Sequence, residues 1–326
     1  MLKLVPDHWK IILRQNFTQW KKLADFLELD PSIQQEIFKR PSFPLNLPKR
    51  LAEKIKKNTL DDPILKQFLP TLAEQKQLTG FTLDPVGDTQ FTKAPKLLHK
   101  YNGRALIVCT SACVMNCRFC FRQNFDYEVQ EKGFQKELEI IAADETLQEI
   151  ILSGGDPLSL SDTVLVHLLD ALSHIKHVKR VRFHTRFPIG IPERIDDAFL
   201  NLFENRPFIT WFVLHTNHPN ELDDHIFHHL HLLQRKGVIL LTQSVLLKGV
   251  NDCPKVLCEL FNQLVNRGII PYYLHQLDRV QGGAHFEVSE ERGKELIQEI
   301  AKSLPGYAVP KYVREIAGEP NKTPLF

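Results

Sequence analysis

Six apolar segments recur along this 326-residue chain at intervals of about 30 residues, which is the length of one strand–helix unit. They span residues 104–109, 149–153, 179–184, 210–215, 238–243 and 269–275. Amphipathic segments, which we interpret as helices, follow them at residues 136–143, 164–172, 195–204, 225–235, 254–267 and 289–304. Because near-continuous apolar strands are buried on both faces, the pattern predicts a parallel sheet. We therefore expect an α/β fold, a partial (β/α)6 TIM-like barrel.

The segment before this repeat has a different pattern. Apolar residues recur with the helical period in residues 9–17 and 20–27, and several prolines divide the remainder into short pieces. We interpret residues 1–95 as an N-terminal helical region. The repeat then defines a core domain at residues 96–305 and leaves a C-terminal tail at residues 306–326.

The composition argues against several classes of protein. The 41 basic and 39 acidic residues give a net charge of +2, which does not support a nucleic-acid-binding protein. No stretch approaches the roughly 20 apolar residues of a membrane span, and the N-terminus lacks the pattern of a signal peptide. Cysteines cluster in one short stretch, which suits metal ligation in a reducing cytoplasm better than disulfides.

Cys113, Cys117 and Cys120 follow the first apolar segment with the spacing C-x3-C-x2-C. Three thiolates can hold three corners of a [4Fe–4S] cluster and leave the fourth iron open to a ligand. The alternative is a structural zinc site in which Cys109 supplies a fourth sulfur. Cys109 lies inside the apolar segment, which favours packing, and no second C-x-x-C pair is present.

Polar side chains lie at or just after the C-terminal ends of the predicted strands. They are Ser153, His184, Arg186, His215, Gln243, His275 and Asp278. In a β/α barrel these strand ends face one mouth, so the spacing predicts a polar pocket beside the cysteines. Gly154 and Gly155 would let backbone approach a ligand closely, and Asp156 would either meet a ligand ammonium or begin a turn with Pro157.

Two further features have ordinary structural interpretations. His225 and His229 share one face of a predicted helix, which we interpret as a solvated face, and Cys253 and Cys258 are interpreted as packing residues.

Lys322 lies near the C-terminus between two prolines and would be exposed in most folds. In a buried pocket, however, it could lose its proton and form a Schiff base.

Several motifs together carry a resemblance to a known family. They are CRFCFR (117–122), LSGGDPL (152–158), HTNHPNE (215–221), QSVLLKGVND (243–252), PYYLHQLD (271–278), GYAVP (306–310) and NKTP (321–324). The chain resembles the radical S-adenosylmethionine (SAM) superfamily, and more closely its lysine 2,3-aminomutase family. It is most similar to the branch that makes β-lysine for the modification of elongation factor P.

The resemblance implies a role for each matching residue. Cys113, Cys117 and Cys120 would hold the [4Fe–4S] cluster, and Lys322 would carry pyridoxal 5′-phosphate (PLP) as a Schiff base. The residues implied to line the SAM site are Ser153, Gly154, Gly155, Asp156, His215 and Gln243. Lys100 and Arg104 are implied to hold the PLP phosphate. Arg122 is implied to bind the substrate carboxylate, and Asp278 and Glu315 are implied to bind its distal ammonium.

The implied activity is that of an isomerase which moves the α-amino group of L-lysine to C3, giving (R)-β-lysine. Breaking an unactivated C–H bond is beyond side-chain acids and bases, so the cluster and SAM would supply a radical and PLP would supply an imine. A protein reductant would serve the cluster, and the product would pass to the elongation factor P lysylation system.

Another amino acid, such as glutamate, is the alternative substrate, although Asp278 and Glu315 should repel a distal acid. A zinc-stabilised interaction or nucleic-acid-binding module is the alternative of another class.

The chain departs from the catabolic members of the family in two respects. Glu315 stands where those enzymes have Asp, which would change the reach of the ammonium pocket by one methylene. The catabolic enzymes also continue beyond the PLP lysine with cysteines that bind zinc together with a cysteine at the position of Cys253. Because this chain ends at Phe326, we do not expect that interchain zinc site.

Overall fold

A computed structural model of the chain describes residues 8–127 and 133–326. Its ten strands in this part of the chain are β1 (Thr92–Ala94), β2 (Leu97–Tyr101), β3 (Arg104–Thr110), β4 (Glu149–Gly154), β5 (Arg180–Thr185), β6 (Ile209–His215), β7 (Ile239–Val245), β8 (Ile270–His275), β9 (Lys311–Arg314) and β10 (Thr323–Pro324). The six predicted strands correspond to β3 through β8, so the apolar pattern was a reliable guide to them.

The α-helices are α1 (His8–Leu13), α2 (Trp20–Phe26), α3 (Lys49–Ala52), α4 (Pro63–Lys66), α5 (Gln135–Ala143), α6 (Asp162–Ser173), α7 (Phe187–Gly190), α8 (Asp197–Leu200), α9 (Asp224–Arg235), α10 (Pro254–Val265) and α11 (Glu290–Ala301). Short 3-10 helices lie at Ile33–Glu36, Leu72–Gln75, Asp88–Phe91, Pro157–Ser159, Pro192–Arg194, Asn201–Phe203, Pro219–Glu221, Ala284–Phe286 and Gly306–Ala308. Five of the six predicted helices are present as α5, α6, α9, α10 and α11.

All ten strands belong to one sheet, in which each strand neighbours the next along the chain. The pairs from β3–β4 to β8–β9 are parallel, whereas β1–β2, β2–β3 and β9–β10 are antiparallel. The predicted α/β fold with a parallel sheet is therefore confirmed. In the described residues β1 and β10 are the two edges and do not pair with one another, so the sheet is not closed.

The long helices bury one apolar face, and three of them, α6, α9 and α11, begin at side-chain caps. Ser161 caps α6 by accepting a hydrogen bond from the Val164 amide, and Asp223 caps α9 by accepting one from Ile226 at 2.8 Å. Helix α10 begins with Pro254, whose fixed φ suits the first turn. Its buried side chains are Leu257, Leu260, Phe261 and Leu264, the spacing expected of a helix packed on a sheet.

One predicted helix is much shorter than the sequence pattern indicated. Residues 195–204 form only the single turn α8 and the following 3-10 turn Asn201–Phe203. Asn205 then adopts a left-handed conformation at φ 54°, and Pro207 follows two residues later. The apolar residues of this segment have helical spacing, but Asn205 and Pro207 end the helix before it can lengthen.

The N-terminal segment packs into the same hydrophobic core as the strand–helix repeat. Trp9 of α1 is buried with its ring 5.4 Å from that of Phe187, in an edge-to-face contact. Strand β1 lies before the expected core domain, and β9 and β10 lie in the expected tail, yet all three pair within the one sheet. Among the described helices, none has the length and apolar composition to cross a membrane.

Candidate active site

A cavity of about 280 Å³ is lined by residues of the sheet and of the loops after its parallel strands. All fifteen site residues predicted from the sequence line it. They are Lys100, Arg104, Cys113, Cys117, Cys120, Arg122, Ser153, Gly154, Gly155, Asp156, His215, Gln243, Asp278, Glu315 and Lys322. Because the C-terminal ends of parallel strands meet at one edge of a sheet, residues separated by more than 200 positions share this space.

The cysteines lie on the loop that leaves β3. Asn46 from the N-terminal segment donates a hydrogen bond from its side chain to the Cys113 carbonyl at 3.1 Å, and the Cys120 amide donates to the Cys117 carbonyl at 3.0 Å. All three thiols are free and partly buried. Burial raises the pKa of each, to about 12 for Cys120, so a bound cation would have to displace the thiol protons.

Cys109 does not join this loop. It is buried in the hydrophobic core on β3, and burial raises the pKa of its thiol to about 12. Within residues 8–127 and 133–326, no three His, Cys, Asp or Glu side chains converge as ligands of one metal ion. The thiolate ligands of a four-iron cluster lie further apart than the ligands of a single metal ion, because each thiolate binds a different iron atom. The donor set of Cys113, Cys117 and Cys120 thus fits a cluster, and the core position of Cys109 disfavours the zinc alternative.

A buried arginine connects the cysteine loop to the rest of the core. The Arg186 guanidinium lies 2.9 Å from Cys117 Sγ and donates to Gln67 Oε1 at 2.7 Å and to Glu221 Oε2 at 2.8 Å. Glu221 is fully buried. Burial would raise the pKa of Glu221, but Arg186 outweighs that effect and lowers it, so the pair is ionised. Arg186 also lowers the pKa of Cys117 against the effect of burial.

Gly154 at the end of β4 and Gly155 after it let the backbone pass close to the cysteine loop. The Gly155 amide donates to the Thr110 carbonyl at 2.6 Å, and Gly154 has φ +115°. A Cβ on Gly155 would lie 2.4 Å from the Ala112 carbonyl oxygen, a distance that no side chain tolerates. Glycine is therefore required here by the close approach of two backbone segments.

Asp156 has the geometry of a turn residue. Its carboxylate accepts hydrogen bonds from the Thr185 hydroxyl at 2.8 Å and from the amides of Leu158, Arg186 and Phe187 at 2.8–3.0 Å. Burial raises its pKa to about 6. Of the two sequence interpretations, these contacts favour the turn with Pro157, because both carboxylate oxygens already have protein partners.

Lys322 and Lys100 share one carboxylate on the opposite side of the cavity. Lys322 Nζ donates to Glu315 Oε2 at 2.6 Å, and Lys100 Nζ donates to Glu315 Oε1 at 3.1 Å. The Tyr101 hydroxyl donates to the same carboxylate. Burial would raise the pKa of Glu315, but the two ammonium groups outweigh it and hold the pKa at about 2. The Arg104 guanidinium stacks 4.6 Å from the centre of the Tyr101 ring.

Arg122 and Lys100 are bridged by Asp88, which neither the sequence pattern nor the resemblance singled out. Arg122 Nε donates to Asp88 Oδ2 at 2.8 Å, and Lys100 Nζ donates to Asp88 Oδ1 at 3.2 Å. Arg122 Nη1 also donates to Ser153 Oγ at 3.1 Å. The site therefore contains a continuous chain of charges in the order Arg122, Asp88, Lys100, Glu315, Lys322.

The rest of the polar wall contains the charged Arg182, which pairs with Glu149, and three histidines. Burial lowers the pKa of His215 to about 3 and holds the pKa of His184 and His275 well below the usual value, so all three imidazoles are neutral at pH 7. Gln243 lies opposite His215 in the β6–β7 register. Burial raises the pKa of Asp278 to about 7.

Asp88, Gln67 and Tyr101 were not predicted from the sequence, and Glu221 was given no role although it ends one of the matching motifs. That motif was the available signal for Glu221. The other three join partners that are distant in sequence, which no local pattern reveals. His225 is exposed on α9 and His229 is partly buried. Cys253 is exposed at the N-cap of α10, so its interpretation as a packing residue was wrong, whereas Cys258 is partly buried and packs against the core. None of the four lines the cavity.

Comparison with known proteins gives a consistent family. Residues 102–187 match a family model described as a 4Fe-4S single cluster domain. The chain is 41% identical to the L-lysine 2,3-aminomutase of Haemophilus influenzae over 97% of this chain and 95% of the relative. It is 44% identical to the L-lysine 2,3-aminomutase of Escherichia coli, over 87% of this chain and 83% of the relative.

A more distant relative, the L-lysine 2,3-aminomutase of Clostridium subterminale, is 35% identical over 82% of this chain and 65% of its own length. These similarities extend well beyond the cysteine motif, and they confirm the resemblance inferred from the motifs. The protein belongs to the L-lysine 2,3-aminomutase family of isomerases.

Proposed function

We propose that the protein is a SAM- and PLP-dependent L-lysine 2,3-aminomutase that converts L-lysine to β-lysine. The observation that carries this proposal is the shared cavity: the side chains of Lys322, the three loop cysteines and Arg122 all line it. A structural metal site would not require an amine and a guanidinium beside it. Relatives named L-lysine 2,3-aminomutase cover nearly the whole chain, which supports the same reaction.

The side chains around Lys322 fit PLP. Lys322 supplies the amine for a Schiff base, and its ammonium form is held by Glu315 until then. Lys100 and Arg104 are the cations that would bind the phosphate. Lys100 would act as a point charge, and the planar guanidinium of Arg104 would donate two hydrogen bonds. Both line the cavity with Lys322. With PLP bound, the site gains an imine-forming aldehyde whose π-system accepts a migrating nitrogen.

The loop cysteines fit a [4Fe–4S] cluster, with Cys113, Cys117 and Cys120 as its three thiolate ligands. The cluster and SAM supply radical chemistry at an unactivated C–H bond. The strand ends that carry Ser153, Gly154, Gly155, Asp156, His215 and Gln243 would line the SAM site. Because Asp156 is occupied by its own turn, we expect its segment to contribute backbone groups rather than its carboxylate.

The substrate would lie between opposite charges. Arg122 would bind the lysine carboxylate, and Asp278 and Glu315 would bind the distal ammonium. Both carboxylates line the cavity, and they disfavour an amino acid with an acidic side chain. Enclosure by the sheet and its loops would exclude water from the reacting groups.

Finer aspects of the function rest on the family resemblance. We propose that the product is (R)-β-lysine, that it passes to the lysylation system of elongation factor P, and that a protein reductant serves the cluster. The reducing cytoplasm is the proposed compartment, because thiolates and clusters persist there. If this role is correct, cells lacking the protein should contain elongation factor P without its β-lysyl group. Wild-type protein should restore that group and Lys322→Ala should not.

We further propose that the sheet curves into the partial (β/α)6 barrel of radical SAM enzymes. Alternate residues of several strands are among those that line the one cavity, as in Ile151 and Ser153 of β4 or Gln243 and Val245 of β7. Inward-facing alternation around a common space is expected of a curved sheet. On this view residues 1–95, 96–305 and 306–326 form the extension, the barrel core and the tail with the PLP lysine.

The reaction can be tested directly. Anaerobic protein reconstituted with iron, sulfide, PLP and SAM, then reduced, should convert L-lysine to β-lysine, detected by chiral derivatisation and mass spectrometry. Cys120→Ser should abolish the product, whereas Cys253→Ser, at an exposed cysteine outside the cavity, should not. L-Glutamate should give no product. The proposal fails if protein with both cofactors bound yields no rearranged lysine.

A further inference from the structure

Asp88 is buried between Lys100 and Arg122. The proposed function assigns Lys100 to the PLP phosphate and Arg122 to the substrate carboxylate. The Asp88 side chain is almost completely enclosed. Oδ2 accepts from Arg122 Nε at 2.8 Å, and Oδ1 accepts from Lys100 Nζ at 3.2 Å. Burial would raise the pKa of Asp88, but Arg122 and Lys100 outweigh it and lower the pKa, so the carboxylate is ionised.

The backbone of Asp88 is held rigidly. Its amide donates to Asp84 Oδ1 at 3.0 Å, and the Asp84 carboxylate also accepts from the Thr89 amide and hydroxyl. Gly87 precedes it at φ +65°, and a Cβ there would lie 3.0 Å from the Ala317 Cβ. Asp88 therefore presents its carboxylate from a fixed turn, which makes it a fixed point for the flexible side chains that it contacts.

The contacts of Arg122 determine which edge of its guanidinium is available. A guanidinium has five N–H donors, one on Nε and two on each Nη. Asp88 takes the Nε donor, and Ser153 takes one donor of Nη1. Among the described residues, no side chain takes a donor of Nη2. Arg122 also stacks on Phe121, with its guanidinium carbon 4.8 Å from the ring centre. The edge formed by Nη1 and Nη2 thus remains for a bidentate ligand.

We propose that Asp88 is a positioning residue for Arg122: it occupies the Nε side of the guanidinium and so directs the Nη1–Nη2 edge toward the carboxylate of the bound amino acid. This inference rests on the proposed function, in which Arg122 binds that carboxylate. Asp88 acts through Arg122 and does not touch the substrate. Its contact with Lys100 fixes the second cation of the same charge chain.

The test compares ligands that differ only at the carboxylate. PLP-loaded protein without SAM is titrated with L-lysine and with L-lysinamide, and binding is followed through the absorbance of the bound PLP. Wild type should favour lysine over lysinamide. Asp88→Asn loses the charge that aligns Arg122. The ratio of the affinity for lysine to the affinity for lysinamide should therefore fall about tenfold, with iron content and PLP content unchanged. Asp88→Glu keeps a carboxylate and should retain most of the ratio.

Asp61→Asn is the control, because Asp61 forms a surface ion pair with Lys66 and neither residue lines the cavity. It should leave the ratio at the wild-type value. The inference is overturned if Asp88→Asn keeps the wild-type ratio, or if both Asp88 variants lose lysine and lysinamide equally, which would indicate a general structural role. Neither result affects the proposed function, which fails only if wild-type protein does not rearrange lysine.

Discussion

Lys322 and Glu315 form an ion pair on the wall of the cavity, with 2.6 Å between Nζ and Oε2, because the chain folds back on itself after β9. Strands β9 and β10 are antiparallel, and Thr323 pairs with Arg314. This register brings the next residues, 322 and 315, to opposite positions. A two-residue strand thus determines that a lysine near the C-terminus points into the cavity rather than into solvent.

Replacing Lys322 by Arg should separate charge from amine chemistry. Arginine can keep an ion pair with Glu315, but it stays protonated and cannot form a Schiff base. We expect Lys322→Arg to lose β-lysine formation and the absorbance of a protein-bound Schiff base, while its iron content remains that of wild type. Borohydride reduction followed by peptide mapping measures the attachment. Lys311→Arg, at an exposed position of β9, is the matched control. A pyridoxyl label on another lysine of Lys322→Arg would refute the assignment.

The local sequence pattern was sufficient to locate the central strands, and the polar residues predicted at their ends line one cavity. Buried parallel strands are continuous apolar runs, so β3 to β8 could be located, and polar residues at their ends had to meet at one edge of the sheet. Strands β9 and β10 are short and partly polar, and tertiary pairing alone defines them. No periodicity indicates such strands.

The polar contacts that organise the site could not be predicted in the same way. Arg186 contacts Gln67, 119 positions away in sequence, and Lys100 contacts Glu315, 215 positions away. Such pairs depend on the final packing of distant loops and leave no local signature. The family motifs marked Lys322, Asp278 and Glu315, but a role for Asp88 came only from its two ion pairs in the structure.

Glu221 should be essential for both stability and cluster binding. It is fully buried, it is paired with Arg186, and it accepts further hydrogen bonds from the Gln67 side chain and from the amides of Asn217 and His218. Removing one partner of a buried ion pair costs about 3–5 kcal/mol, because the other charge stays buried. We expect Glu221→Ala to lose about that much stability in denaturant unfolding of the apoprotein.

The same variant should also bind less iron, because Arg186 would lose the partner that holds it 2.9 Å from Cys117. Glu204→Gln is the control: Glu204 pairs with Lys236 at the surface, where ion pairs contribute little. An unfolding free energy for Glu221→Ala close to that of wild type would show that the network is not structurally important.

Gly155 is expected to tolerate no side chain. A Cβ there would lie 2.4 Å from the Ala112 carbonyl oxygen, directly before Cys113, so Gly155→Ala must displace the cysteine loop. We expect iron content after reconstitution to fall from about four atoms per chain to fewer than about one. Gly306→Ala is the control, because nothing lies within 4 Å of a Cβ at Gly306. Full iron content in Gly155→Ala would show that the loop can move without losing the cluster.

Asp278 should give the lysine reaction a pH dependence near neutrality. Burial raises its pKa to about 7, although Lys322 opposes that effect. Below that pH the carboxyl is protonated and cannot pair with the distal ammonium of lysine. We therefore expect kcat/KM to rise about tenfold per pH unit below about pH 7 and to level off above it, because kcat/KM reports groups of the free enzyme.

The effect of the same group on folding has the opposite sign. An unfolded Asp has a pKa of about 3.9, so the folded protein holds this proton more tightly. The contribution of Asp278 to stability is therefore complete below about pH 4 and is lost as pH rises through about 7. In Asp278→Asn, the contributions of Asp278 to both pH dependences should disappear, and kcat/KM for lysine above about pH 7 should fall toward the level that wild type shows at low pH. Asp224→Asn, at an exposed ion pair with Arg267, should retain both. A profile of kcat/KM that is unchanged in Asp278→Asn would exclude Asp278 as the titrating group at the ammonium site.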